Sequence, residues 1–386
     1  MYDIAGALRA RLRRSGLDPV TDEGAAAARF AAGVLLLDAG DFAGAERALR
    51  QALALRPGHA GGHYKLANAC KEQDKLAEAE RHYLAALALD PRYAEAHNNY
   101  GTVQQLLQRG EAAQASYRRA IELKPGLAQP YLNLGRLLQQ IGKAAEAQAC
   151  YAQALHHVPE PEVFRHLLDA AQGASTAQAP PAYVRTTFDS FAQQFDRHLV
   201  DTLDYRIPQL LDSAVRALAP PAQMEILDLG CGTGLCGNCL RDLARRMVGV
   251  DLAAKMLEVA RARGDYHELV HAEVGQYLAS QADASFDLLV AADLLIYIGD
   301  IGPLMREAAR VLRPAGLFAF SIEQPSQACD SYRLEESGRY AQSLAYVSTL
   351  AREHGLSERS CGDVAIRKHG AQAMPGQLLV LAKPPV

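Results

Sequence analysis

The chain has 386 residues, 49% of them hydrophobic and 22% charged, enough for two or three domains that each bury a core of their own. A formal net charge of −4 with no long basic run leaves no electrostatic footprint for nucleic acid or an anionic membrane. No apolar stretch approaches the roughly 18 residues of a membrane span, and the seven cysteines, odd in number and scattered over both halves, fit a reducing compartment, so a cytoplasmic protein is expected. In chain order, residues 1–25 read as an N-terminal helical cap, with the arginines between Arg9 and Arg14 on a solvated helix face.

An internal repeat follows. Pro57, Pro91, Pro125 and Pro159 are spaced by 34 residues, and the same period carries Ala45, Ala79, Ala113 and Ala147, the large residues Leu49, Tyr83, Tyr117 and Tyr151, and the small residues Gly33, Ala67, Gly101 and Gly135. Small side chains at fixed points let two antiparallel helices approach closely, a large residue fills the gap between pairs, and proline ends the second helix. The pattern resembles the tetratricopeptide (TPR) repeat, which implies an α-solenoid. Residues 26–172 are expected to form four repeats plus a capping helix at Glu162 to Gln172. On the inner face His63, Asn68, His97, Asn98, Asn99, Tyr131 and Asn133 would offer polar contacts to a protein or peptide partner lying in the groove. Residues 173–182, ending in Pro180-Pro181, read as a linker. Beyond it Phe188, Phe191 and Phe195 stand at helical spacing, suited to a lid that is also core.

The densest signal is Ile226-Leu227-Asp228-Leu229-Gly230-Cys231-Gly232-Thr233-Gly234: a buried strand ending in an acid, then alternating glycines that let the backbone approach a ligand before a helix opens near Leu235. A dinucleotide pyrophosphate wants Gly-x-Gly-x-x-Gly and would be repelled by the carboxylate. The second strand ends in Asp251, about 20 residues after the first glycine, the spacing at which an acid accepts ribose hydroxyls. Phe286 to Ala291 reads as a fourth strand closed by Asp293, and residues 311–320 as helix end, turn and fifth strand. Cys231, Cys236 and Cys239 lack the partners a metal site requires and read as packing, so no metal is expected. These residues resemble class I S-adenosylmethionine-dependent methyltransferases, and the resemblance covers residues 183–386.

The resemblance implies a Rossmann-like α/β domain with a mostly parallel seven-stranded sheet, closed by an antiparallel strand at Gln377 to Lys383. It implies S-adenosylmethionine as cofactor, with Asp228, Gly230, Gly232 and Gly234 at the methionine moiety, Asp251 at the ribose, Leu252 beside it, Glu273 and Val274 at the adenine, and Asp293 closing the cofactor site. The acceptor pocket falls to Asp293, Leu294, Tyr297 and Glu323, with Asp293, Tyr297 and Glu323 as catalytic candidates and Arg339 and Tyr340 as substrate contacts. After the fourth strand there is no Asn/Asp-Pro-Pro-Tyr/Phe and no Pro-Cys nucleophile, and the paired glutamates that clamp arginine are missing. The expected function is methyl transfer to an oxygen or nitrogen of a small-molecule or carrier-bound acceptor, with the repeats recruiting a protein partner. Two alternatives stay open: a protein methyltransferase whose array docks the substrate, and a non-catalytic S-adenosylmethionine-binding adaptor. The whole chain resembles bacterial predicted methyltransferases with TPR repeats, in which a histidine often stands at the position of Gln342.

Overall fold

The computed structural model describes residues 21–189, 195–196, 199, 203–369 and 372–385. Most of the expected N-terminal cap, including Arg9 to Arg14, lies outside the described residues, as does Phe191. Contacts divide the chain into two compact units, Met1–Pro161 and Glu162–Val386.

The first unit is a run of paired helices: α1 (Asp22–Asp38) with α2 (Phe42–Leu55), α3 (Ala60–Lys71) with α4 (Leu76–Leu89), α5 (Ala94–Leu106) with α6 (Gly110–Leu123), and α7 (Ala128–Gln140) with α8 (Ala144–Ala154). α2, α4 and α6 each stop two residues short of the periodic proline, because a residue before proline is pushed out of the helical region. Close approach within pairs depends on the small residues. A Cβ on Gly33 would come within 2.5 Å of Leu49, one on Gly101 within 2.7 Å of Tyr117, and one on Gly135 would overlap the Tyr151 ring. Leu49, Tyr83, Tyr117 and Tyr151 are all fully buried.

Several residues expected to face a groove ligand are engaged within the array. Asn99 Nδ2 donates to Asn68 Oδ1 at 3.0 Å and to the Tyr64 hydroxyl at 3.1 Å, Asn133 Nδ2 donates to Asn98 Oδ1 at 3.0 Å, and His63 and His97 each lie 3.0 Å from the carbonyl of the proline that ends the preceding repeat, Pro57 and Pro91. Tyr131 is fully buried and belongs to the core, which corrects its assignment as a groove contact. A buried Glu46 stands near Cys70 and Glu78, but Lys75 at 2.7 Å and Arg50 at 2.6 Å already neutralise it.

The second unit begins with α9 (Pro161–Ala171), the helix expected to cap the array, and the division falls upstream of the expected linker. His166 of α9 lies 2.8 Å from the carbonyl of Gly338, far along in the same unit. Residues of the expected linker are tied down too: Ala179 N donates to the Tyr297 carbonyl at 2.9 Å, and Gln178 bridges to Ile298. α10 (Pro181–Asp189) and α11 (Ile207–Ala217) follow.

An alternating chain of strands and helices then builds the sheet: β1 (Met224–Leu229), α12 (Leu235–Leu240), β2 (Ala244–Asp251), α13 (Ala254–Arg263), β3 (Glu268–His271), α14 (Val274–Ser280), β4 (Phe286–Ala291), α15 (Gly302–Val311) and β5 (Leu312–Glu323). A small hairpin of β6 (Tyr332–Leu334) and β7 (Tyr340–Gln342), α16 (Leu344–Glu353), β8 (Ser357–His369) and β9 (Gln372–Ala382) complete it. The seven-stranded sheet has the order β3-β2-β1-β4-β5-β9-β8, parallel except where β9 runs against both neighbours. The antiparallel C-terminal strand is therefore inserted between β5 and β8, not placed at the edge. All six residues of β1 are buried, as a central parallel strand covered on both faces requires. Leu278 of α14, Met305 of α15 and Val347 of α16 pack one face, and Leu211 of α11 and Leu240 of α12 the other. Because β1 crosses to β2 on one side and β4 lies on the other, the order reverses beside β1, and a crevice opens at the carboxyl ends of those strands. No helix among the described residues is long and apolar enough to cross a membrane.

Candidate active site

The turn after β1 has three glycines in the left-handed region, Gly230 at φ 71°, Gly232 at 53° and Gly234 at 91°, but they serve different ends. A Cβ on Gly232 would meet nothing within 4 Å, whereas one on Gly230 would come within 3.0 Å of Leu294 and one on Gly234 within 3.0 Å of Tyr266. Gly232 is thus the one of the three whose missing side chain leaves open space, a cradle of the kind a ligand occupies.

Asp251, at the end of β2, fixes that cradle. Its Oδ2 accepts from Gly232 N at 2.8 Å and its Oδ1 from Ala253 N at 2.8 Å. Each oxygen keeps a lone pair, so the carboxylate can still receive two hydroxyls of a ribose. Burial pushes the Asp251 pKa up, while the backbone N–H groups of Ala253 and Gly232 hold it back. Asp228 is placed otherwise. Only 1% exposed, it accepts the Tyr266 hydroxyl at 2.6 Å, and burial, with the neighbouring Asp251 charge, pushes its pKa up to about 7. The Tyr266 oxygen accepts in turn from Gly237 N at 3.1 Å. Its ring occupies the space that Cβ atoms on Gly234, Gly237 and Gly249 would claim. Tyr266 is the hub of this corner, and no periodicity or motif in the sequence marks it.

Asp189 and Asp196, described residues before the sheet, bond to the turn and to the start of α13. Thr233 Oγ1 donates to Asp196 Oδ1 at 2.5 Å, Arg263 donates to Asp196 Oδ2 at 2.5 Å, and Lys255 N donates to Asp189 Oδ1 at 3.1 Å. Phe188 and Phe195 pack on Ala253 and Met256, just past Asp251, and Leu252 lies between. Glu273 caps α14, its two oxygens accepting one bond each, from Gly275 N at 3.0 Å and Gln276 N at 2.8 Å, and Val274 is buried behind it. The Cys231 and Cys236 thiols are pushed well up by burial, which leaves them unreactive, and all seven cysteines are free.

A second cluster lies beyond β4 and β5. Asp293 sits at φ 58°, a conformation that Asp tolerates better than most residues, with its N–H donating to Ser321 Oγ at 3.1 Å. Arg367 of β8, 4% exposed, donates to Asp293 Oδ2 at 2.6 Å and also pairs with Glu323. Both carboxylates therefore point at one guanidinium, yet among the described residues Asp293 Oδ1 is buried with no hydrogen-bond partner. Glu323 is 3% exposed and bound to Arg367, a setting for a structural counterion and not for the base first considered. Tyr297 is pushed up to about 12 by burial, so at neutral pH it keeps its proton and can donate but not abstract. Arg339 is the cation whose charge is felt by Tyr297. Tyr340, proposed as a substrate contact, is fully buried with its hydroxyl 2.5 Å from Thr176, and so supports the wall instead of reaching an acceptor. Gln342 donates to the carbonyls of Leu295 at 2.9 Å and Ile298 at 2.7 Å and thereby holds the Tyr297 turn. Arg367 had only a weak signal in the sequence, a charge directly after the short apolar run Val364-Ala365-Ile366, with Lys368 and His369 following it.

Both parts of the chain are similar to known proteins. A model described as a methyltransferase domain matches residues 227–320, and models described as the tetratricopeptide repeat match residues 5–60, 36–100, 94–126 and 128–155. A ubiquinone biosynthesis O-methyltransferase from Albidiferax ferrireducens is 28% identical over 151 residues, 38% of this chain and 60% of that protein. A malonyl-(acyl-carrier protein) O-methyltransferase from Serratia marcescens is 33% identical over 97 residues, 25% and 37% of the two chains. The solved 1,6-didemethyltoxoflavin-N1-methyltransferase of Burkholderia thailandensis, with bound 1,6-didemethyltoxoflavin and S-adenosylhomocysteine, is 20% identical at a TM-score of 0.42, covering 55% of this chain and 94% of that one. The chain spans 60% or less of the length of these two curated relatives. The protein carries a methyltransferase domain behind an array of tetratricopeptide repeats.

Proposed function

We propose that the protein transfers the methyl group of S-adenosylmethionine to an oxygen of a small-molecule or carrier-bound acceptor. The observation that carries the reading is the Asp251 carboxylate locked by Gly232 N and Ala253 N beside the open face of Gly232. Bound there, S-adenosylmethionine supplies a methyl group on a positively charged sulfur. Asp251 would hold the ribose, the Gly230 to Gly234 backbone the amino-acid end, Leu252 and Val274 the edges of the adenine, and Asp228, through Tyr266, the shape of the turn. Glu273 contributes by fixing the start of α14, with its remaining lone pairs available to the adenine. The protein's task in such a transfer is alignment and exclusion of water. Phe188, Phe195 and the Asp196 bridge to Thr233 suit that role.

Oxygen is favoured over nitrogen by Asp293 Oδ1, a buried acceptor with no donor among the described residues, which would take the proton of an acceptor hydroxyl. Both curated relatives described above are O-methyltransferases, and one of them acts on a carrier-bound substrate, which supports the same choice. The repeats, a fold that commonly mediates protein contacts, would bring the protein that carries or supplies the acceptor, in a cytoplasmic setting consistent with seven free thiols.

Calorimetry with S-adenosylmethionine and with NAD tests the cofactor, and NAD binding alone would sink the reading. Labelled S-adenosylmethionine incubated with the full chain and cell extract tests the acceptor class. Label in small molecules or carrier-bound groups supports the proposal, label in protein side chains moves the assignment to a protein methyltransferase, and binding without any transfer leaves the adaptor.

A further inference from the structure

Resting on the methyl-transfer reading, the cluster beyond β4 also says what kind of acceptor fits. Arg339 lies in the tight turn of the β6–β7 hairpin, where Glu335 N donates to the Arg339 carbonyl at 2.8 Å and Gly338 N to the Glu335 carbonyl at 2.8 Å. Gly338, at φ 80°, presses against Tyr183, so that a Cβ there would come within 2.7 Å of the Tyr183 oxygen. His166, buried against the Tyr183 and Tyr340 rings, binds the Gly338 carbonyl through Nε2. Burial pushes the His166 pKa down and so favours the neutral imidazole, whose Nε2–H donates to that carbonyl, and the residue serves as a positioning residue for the turn. The backbone of Arg339 is thus held from several sides.

Its side chain is not held in the same way. Arg339 is half-buried, yet among the described residues no carboxylate lies within ion-pair distance of it. The nearest acid, Asp293, is bound to Arg367, and Glu323 is bound to Arg367 as well. The Tyr297 hydroxyl is the polar group beside the guanidinium, which has five N–H donors to satisfy. A guanidinium withdrawn from water needs an anion, and its planar fork matches a carboxylate through two parallel bonds. Tyr297, which keeps its own proton, can add a third. The Tyr297 ring stands 5.5 Å from Phe188 and 6.4 Å from Tyr183, so the ground beside the fork is aromatic.

We infer that the acceptor carries a carboxylate that docks on the Arg339 fork and the Tyr297 hydroxyl, with its body against the Tyr297 and Phe188 rings. The carboxylate is the recognised group, and Asp293 Oδ1 remains for the acceptor's hydroxyl.

The test uses the full chain saturated with S-adenosylhomocysteine and two probes of one shape, benzoate and benzamide, titrated by calorimetry or nuclear magnetic resonance. Benzoate should bind tighter by about tenfold or more. Arg339→Gln should erase the difference without changing the melting temperature or the S-adenosylhomocysteine affinity, and Arg339→Lys should keep part of it. Equal affinities, no binding of either probe, or a preference that survives Arg339→Gln would overturn the inference alone. A chain that fails to bind S-adenosylhomocysteine would bring down the methyl-transfer reading and this inference together.

Discussion

Two glycines, Gly135 in the repeat array and Gly232 in the turn after β1, look alike in the sequence as small residues at a patterned spacing. Their surroundings are opposite. The Cβ that Gly135 lacks would overlap Tyr151, so this glycine exists for a neighbour inside the protein. The Cβ that Gly232 lacks would touch nothing, and the backbone there is left-handed at φ 53° beside a carboxylate. One absence is filled by the fold and the other is left for a ligand. Changes at the first should therefore cost stability and spare binding, and changes at the second should cost binding more than stability.

The largest effect is expected at the carboxylate that fixes the open cradle. Asp251→Ala should lose about 2 to 4 kcal/mol of S-adenosylmethionine affinity, the size of two hydrogen bonds to a charged group. Calorimetry on a variant that still melts cooperatively decides it, and an unchanged dissociation constant would remove Asp251 from the cofactor site. Gly135→Ala comes next. Overpacking against Tyr151 should lower stability by about 1 to 3 kcal/mol, read as a shift in urea midpoint, with cofactor affinity intact. Combining it with Tyr151→Leu should recover part of the loss, and strict additivity of the two changes would break the pairing.

Gly232→Ala should cost about 1 to 2 kcal/mol of stability from the left-handed backbone alone, since no atom blocks the methyl group. Its cofactor affinity should fall by more than its stability does. If affinity holds, the open space beside Gly232 is not where the ligand lies.

The smallest effect is a slope with pH. The folded-state pKa of Asp228 is raised to about 7, against roughly 3.9 for an unfolded aspartate. Between those values the folded chain binds the extra proton, so its contribution to stability is complete below the unfolded pKa and is lost as pH rises through about 7. A cation bound in the site favours the ionised form, hence cofactor affinity should rise over the same window. Asp228→Asn should flatten both slopes, and slopes that persist in that variant would assign them to other groups.

By itself, the sequence determined the parts whose physics is local or periodic. The 34-residue spacing of proline, alanine and tyrosine specifies stacked helix pairs, because each small residue has one large partner at a fixed offset. The strand-acid-glycine order of residues 226–234 and Asp251 at the end of the next strand specify a nucleoside-type cradle, because turn geometry and chain separation together leave few alternatives. The tertiary structure decided whatever depends on residues far apart in the chain. Tyr266 reaches back across 38 residues to bond the buried Asp228 carboxylate. Arg367, from the penultimate strand, takes up both Asp293 Oδ2 and Glu323, and so leaves one carboxylate oxygen free and one guanidinium, Arg339, without an acid. α9, which by pattern continues the array, spends His166 on Gly338. A one-dimensional pattern records which side chains are available. Which of them consume one another's charges and hydrogen bonds is settled only when the sheet brings their strands together, and the residues left over are those that can meet a substrate.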